Sequence, residues 1–313
     1  MFINRRVIVL LLAALFASGV AFANELPSDA NALLESMSLY QKLISEFIEQ
    51  LLSRESKVRQ FADLLWISLS LGLIVQNGIR FAYDGLSVGE IVGVFSLIAF
   101  THFLMIHYDQ WTLAMFDWSI GFGNGIQKAA IGHEEIWFIP KVIANITDSL
   151  SFGSISFMSK LVLVIKVTFV MILCCLLAIG SFSSILMSVH GYAIAKMIGI
   201  MFIPTLLFER LSWLFDGWFK TFMECLLYSV FIRASLCLIA VVFQSYLGGD
   251  IFDISKAQGG FVPIESSTDI IGILSLLFLG NATLFRAFQF VKTIVGGLPA
   301  ASQIFNRQVR SRF

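Results

Sequence analysis

Long apolar runs with few charges decide what this chain can become. Residues 61–82, 89–107, 161–187, 190–208, 225–247 and 268–288 each come close to the ~20 residues a helix needs to cross the hydrocarbon of a bilayer. Lipid offers no partner to backbone N–H and C=O groups, so such a segment must satisfy them within itself, as a helix. The expected fold is therefore all-α: a polytopic helical membrane protein. Composition agrees, with 58% hydrophobic and 13% charged residues and a mean hydropathy of +0.85. A soluble domain is closer to half apolar and a quarter charged. Thirty-one Phe and 23 Gly suit lipid-facing and helix-packing surfaces. The formal net charge is zero, so no whole-chain basic field recruits nucleic acid.

The first 23 residues have the parts of a cleavable signal peptide. Arg5 and Arg6 form the charged start, Val7 to Phe16 the short apolar run, and Ala21-Phe22-Ala23 the small-residue exit. Cleavage puts the mature N-terminus outside the cytoplasm. Residues 24–60 are then expected as an external, periplasmic amphipathic helix. Leu33, Met37, Tyr40, Ile44, Phe47 and Leu51 step by four, three, four, three and four, which is a heptad seam. Two readings are open. The helix lies on its own membrane domain, or it packs against copies of itself or a partner. The opposite face mixes Glu35, Lys42, Glu46, Glu49, Arg54 and Glu55, unlike a membrane-surface helix, which favours Lys and Arg.

Residues 61–107 read as a first transmembrane hairpin turning at Asp84-Gly85. Residues 108–159 read as a central external loop with short interfacial helices. It holds Asp109, Asp117, Glu134, Glu135 and Asp148 against Lys128 and Lys141, with Trp111, Phe116, Trp118, Trp137 and Phe138 as interface anchors. Residues 160–288 form a transmembrane block. In it, 161–187 and 190–208 pair around His190-Gly191, and 209–224 is an interfacial or re-entrant helix. Residues 289–313 are a basic tail with Lys292, Arg307, Arg310 and Arg312. Six spans from an outside start leave that tail outside, against the positive-inside rule. The sequence thus points to five spans, with six as the alternative. Either 190–208, broken by Pro204, or 268–288 is the segment that does not cross.

Catalytic and metal patterns are missing. The chain has no GxxxxGK[ST], HExxH or GxSxG. Cys174, Cys175, Cys225 and Cys237 sit in or beside apolar runs and read as small hydrophobes. The chain is expected to be no enzyme and to hold no cofactor or metal. Charges inside spans cost about 2.5–3.5 kcal/mol at the centre. Lys166 and Arg233 are the candidates, facing either a partner or lumen, or snorkelling to the headgroups.

The run Lys196-Met-Ile-Gly199, Pro204, Leu207-Phe-Glu-Arg-Leu, Phe215-Asp-Gly217-Trp218 and Tyr228-Ser-Val-Phe resembles the TrbL-like family. That family is the polytopic inner-membrane subunit of type IV secretion and conjugal transfer systems. Its pattern sets an adjacent Gly-Pro, here the separated Gly199 and Pro204, and a Phe-rich turn before a Gly-Trp, here Gly217-Trp218. The resemblance implies a non-enzymatic structural or channel subunit that supports pilus assembly and the passage of DNA or protein. It implies, as partners, membrane lipid, further copies of the chain, pilin and minor pilus-tip subunits, other inner-membrane secretion subunits and secretion ATPases. The implied location is the inner membrane of a Gram-negative bacterium. Two other readings compete: a secondary transporter or permease, for which no internal repeat is visible, and an assembly factor without a pore.

Overall fold

The computed structural model describes residues 57–85, 88–132, 157–247 and 267–297, with Leu39, most of 42–56, and isolated positions at 139, 142, 143 and 300. The regular elements among them are all helical. They are α1 (Lys57–Asp84), α2 (Val88–Ile106), α3 (Tyr108–Ile131), α4 (Phe157–Gly199), a 3-10 turn (Ile203–Leu207), α5 (Ser212–Leu247) and α6 (Ser267–Gly296). Five of these helices are long and apolar enough to cross a membrane: Lys57–Tyr83, Val88–Ile106, Ile165–Gly199, Ser212–Tyr246 and Ile270–Gly296.

The hairpin of α1 and α2 follows from local chemistry. Ser56 caps α1, its hydroxyl accepting the Arg59 N–H at 3.1 Å. Gly85 closes α1 at φ +69°, a left-handed conformation that glycine adopts without a Cβ clash. The open end of α2 leaves carbonyls without helical partners. Arg59 donates to Met105 O at 2.9 Å, and Trp111 Nε1 to Leu104 O at 3.2 Å. Between the two helices, Trp66 Nε1 donates to Thr101 Oγ1 at 3.1 Å and the Trp66 ring stacks on His102.

Two connections differ from the sequence reading. Residues 161–187 and 190–208, read as a hairpin, lie largely in the single helix α4, which runs straight through His190 and Gly191. Gly191 serves close packing: a Cβ there would sit 2.6 Å from Cys225 Sγ on α5. The chain breaks later, after Gly199, where Pro204 leads into the 3-10 turn. All five residues of that turn are buried, and it packs against α1 and α2. The count of five candidate spans therefore arises because 190–208 makes no helix of its own. Likewise 209–224 and 225–247, read as an interfacial helix followed by a span, join as α5 from Ser212 onward. Most of the central loop's first half, 108–131, is the helix α3.

The chain forms two compact units. Among the described residues, one holds those within Asn124–Ile185 and Ile232–Ala287. Small residues draw its helices together. A Cβ at Gly280 of α6 would lie 3.4 Å from Ile239 and 3.5 Å from Leu177. Next to it, the amide of Asn281 donates to Leu173 O at 3.2 Å and to Leu277 O at 2.9 Å, tying α6 to α4. The other unit holds those within Gln41–Gly123, Leu186–Phe231 and Phe288–Phe313. It contains the candidate site.

Candidate functional site: an aromatic joint between α3, α4 and α5

The last turn of α4 exposes carbonyls that its own helix cannot fully serve. Two aromatic donors reach them. Trp218 Nε1 on α5 donates to Ala195 O at 2.7 Å, and the Tyr108 hydroxyl at the start of α3 donates to Lys196 O at 2.7 Å. Both rings are buried, at 5% and 1% exposure. Burial, reinforced by nearby Tyr192 and Asp109, holds the Tyr108 phenol well above its ordinary pKa. It is thus a neutral, constant donor at physiological pH.

Gly199 is where the three helices meet. A Cβ at this position would overlap the Trp218 indole and the Tyr108 hydroxyl. Around it, Trp111 meets Tyr108 edge-on at 5.5 Å and Phe222 at 5.9 Å, and Trp218 stacks on Phe222 at 5.6 Å. Phe116 stacks on Tyr192 with centroids 3.8 Å apart. Offset and edge-to-face pairs at these spacings add roughly 0.5–1.5 kcal/mol each beyond area burial.

One ion pair lies beside the rings. The Lys196 ammonium, on a side chain only 6% exposed, bonds the Asp109 carboxylate, whose side chain is 54% exposed. Lys196 stands in the last turn of α4 and Asp109 in the first turn of α3. Each charge therefore also complements its own helix dipole. The ammonium lies 5.9 Å from the Tyr192 ring centre, in cation–π range. The Trp218 indole, the Tyr108 hydroxyl and the Lys196–Asp109 pair each bind within the joint, which gives it the chemistry of a clamp.

The residues singled out in the sequence fall in several places. Gly199 and Trp218 meet in the joint, and Pro204 lies buried in the turn that follows it. Gly217 is exposed, and a Cβ there would meet nothing within 4 Å. Arg233 is 6% exposed and donates Nη1 to Asn124 Oδ1, within the other unit. Lys166 is half-buried near the start of its candidate span. Of the heptad seam, Leu33, Met37 and Tyr40 lie outside the described residues. Ile44 and Leu51 are half-buried, and Phe47 is exposed. Sequence reasoning missed Tyr108, Asp109 and Lys196 as a group. Lys196 sits in an apolar run, and the cost of charge in a span would have flagged it alongside Lys166 and Arg233.

Five helices fit to cross a bilayer, α4 and α5 among them tied by a buried aromatic joint, define a polytopic α-helical membrane protein. The family model of the TrbL/VirB6 plasmid conjugal transfer protein matches residues 74–282, and the chain belongs to that family. The match runs from the middle of α1 into α6 and includes the whole joint. No curated protein matches the chain.

Proposed function

We propose that the chain is a structural or channel subunit of the inner-membrane complex of a type IV secretion machine. It supports pilus assembly and the passage of a DNA or protein substrate. The family match over 74–282 carries this reading. In it, the subunit acts without catalysis. Its mature N-terminus lies in the periplasm, as the signal-peptide pattern of the first 23 residues implies. Copies of the chain assemble into a ring that serves as a base for pilin and the minor pilus-tip subunit. Other inner-membrane subunits and the secretion ATPases dock on that base.

The test is purification from conjugating cells in native detergent, with mass spectrometry of the co-purifying proteins, beside a deletion strain. Pilin, tip subunit and secretion ATPase are expected in the complex. Deletion is expected to abolish pili and transfer while plasmid maintenance continues. Transfer at full frequency in the deletion strain refutes the reading.

A further inference from the structure

The helical stretch 42–52 is apolar on two sides. Ile48 is 3% exposed and Leu52 packs on the aromatic cluster, so one side belongs to its own unit. On the other, Leu43 and Phe47 are each 54% exposed. Lys42 and Glu46, one residue before each of them, form an exposed pair at 3.9 Å. An exposed apolar stripe on a helix calls for a covering surface.

The same unit carries a groove of about 450 Å³ between α4 and α5. Ala195, Gly217, Thr221, Ile194, Ile198 and Trp213 are among its lining residues. The Thr221 hydroxyl donates to Gly217 O of its own helix at 3.0 Å, so it requires no partner from outside. A row of alternating charge runs one residue ahead of the α5 lining. Asp216, Lys220 and Glu224 stand one residue before Gly217, Thr221 and Cys225.

We propose that this groove receives the Leu43–Phe47 face of a second copy of the chain, lying antiparallel to α5. The proposal rests on the reading of the chain as an oligomeric subunit and names the surface by which copies meet. Charge sets the direction. On both helices the charged row precedes the apolar row by one residue. Rows with the same offset face each other when two helices run antiparallel and fall on opposite sides when they run parallel. Antiparallel docking places Glu46 opposite Lys220 and Lys42 opposite Glu224 in one register, because both pairs are spaced by four. The mode is helix-in-groove recognition. Donor face and acceptor groove differ, so the contact is heterologous, and its repetition by rotation closes a ring.

The test uses the full chain in membranes, with the four native cysteines replaced. Copies bearing Phe47→Cys under one tag and Gly217→Cys under another are co-expressed and oxidised. A disulfide-linked dimer carrying both tags is expected. Separately, Glu46→Lys is expected to lower the native-size complex about tenfold, and Lys220→Glu in the same chain to restore it. Near-native membrane levels of each variant control for folding. If the native-size complex persists without the mixed-tag dimer and ignores the charge reversals, copies meet elsewhere; this surface is wrong while the secretion reading stands. Labelling of the groove at position 217 by a photoactivatable phospholipid in cells, with no mixed-tag dimer, assigns the groove to lipid and likewise overturns the proposal. A chain that is monomeric in conjugating cells sinks both this surface and the ring.

Discussion

Trp218 does two things at one position: it fills the joint with its ring and serves Ala195 O with its N–H. Trp218→Ala removes both, and a buried Trp→Ala change costs about 3–5 kcal/mol. Trp213 is 66% exposed, so Trp213→Ala is expected to stay within about 0.5 kcal/mol. Melting temperature in detergent and transfer frequency should separate the two, and equal effects would remove the joint from the account. Trp218→Phe keeps most of the ring and loses the donor, for an expected loss of about 1 kcal/mol. The ion pair gives a second asymmetry. Asp109→Ala leaves a buried ammonium without its carboxylate, while Lys196→Met removes the buried charge and keeps an apolar stem. Asp109→Ala is therefore expected to destabilise more, even though Asp109 is the more exposed partner. A milder Asp109→Ala would show that water serves Lys196. Little of this was legible in the residues. Gly199 and Trp218 were visible through a family pattern, but Tyr108 and Lys196 stand 88 positions apart. No periodicity reports a bond of that separation.

The helices show where sequence reading succeeds and where it stops. Apolar runs gave the existence of the spans, because length and hydropathy are local properties. The ends were harder. His190-Gly191 has the composition of a turn, yet Gly191 lies inside α4 against Cys225. The deciding fact was the neighbour across the interface. Gly191→Leu is accordingly expected to force α4 from α5 and lower the melting temperature, as overpacking at about 1–3 kcal/mol does. At Gly217, where a Cβ meets nothing, Gly217→Ala is expected to leave monomer stability unchanged or slightly raised. Helix propensity favours alanine there by up to about 1 kcal/mol. A Gly191→Leu protein as stable as the parent would mean that the two helices are free to part. The stretch 42–52 illustrates a different limit. Its seam was readable, but not that Ile48, outside the seam, is the most deeply buried of its described residues.

For the molecule as a whole, sidedness is read at the two ends of the chain. In a background without native cysteines, Ser45→Cys is expected to react with a membrane-impermeant maleimide once the outer membrane is permeabilised. Gln308→Cys reads the parity of the crossings: reaction only after the inner membrane is lysed means an odd number. Reaction at 308 in cells with an intact inner membrane would put both ends on one side and require an even number of crossings. The length of α4 adds something that hydropathy does not. Its 43 residues make a rod of about 65 Å at 1.5 Å per residue. The hydrocarbon is only about 30 Å thick, and tilts up to about 40° leave much of such a rod outside it. What lies beyond the hydrocarbon still carries apolar side chains, and these need protein to cover them.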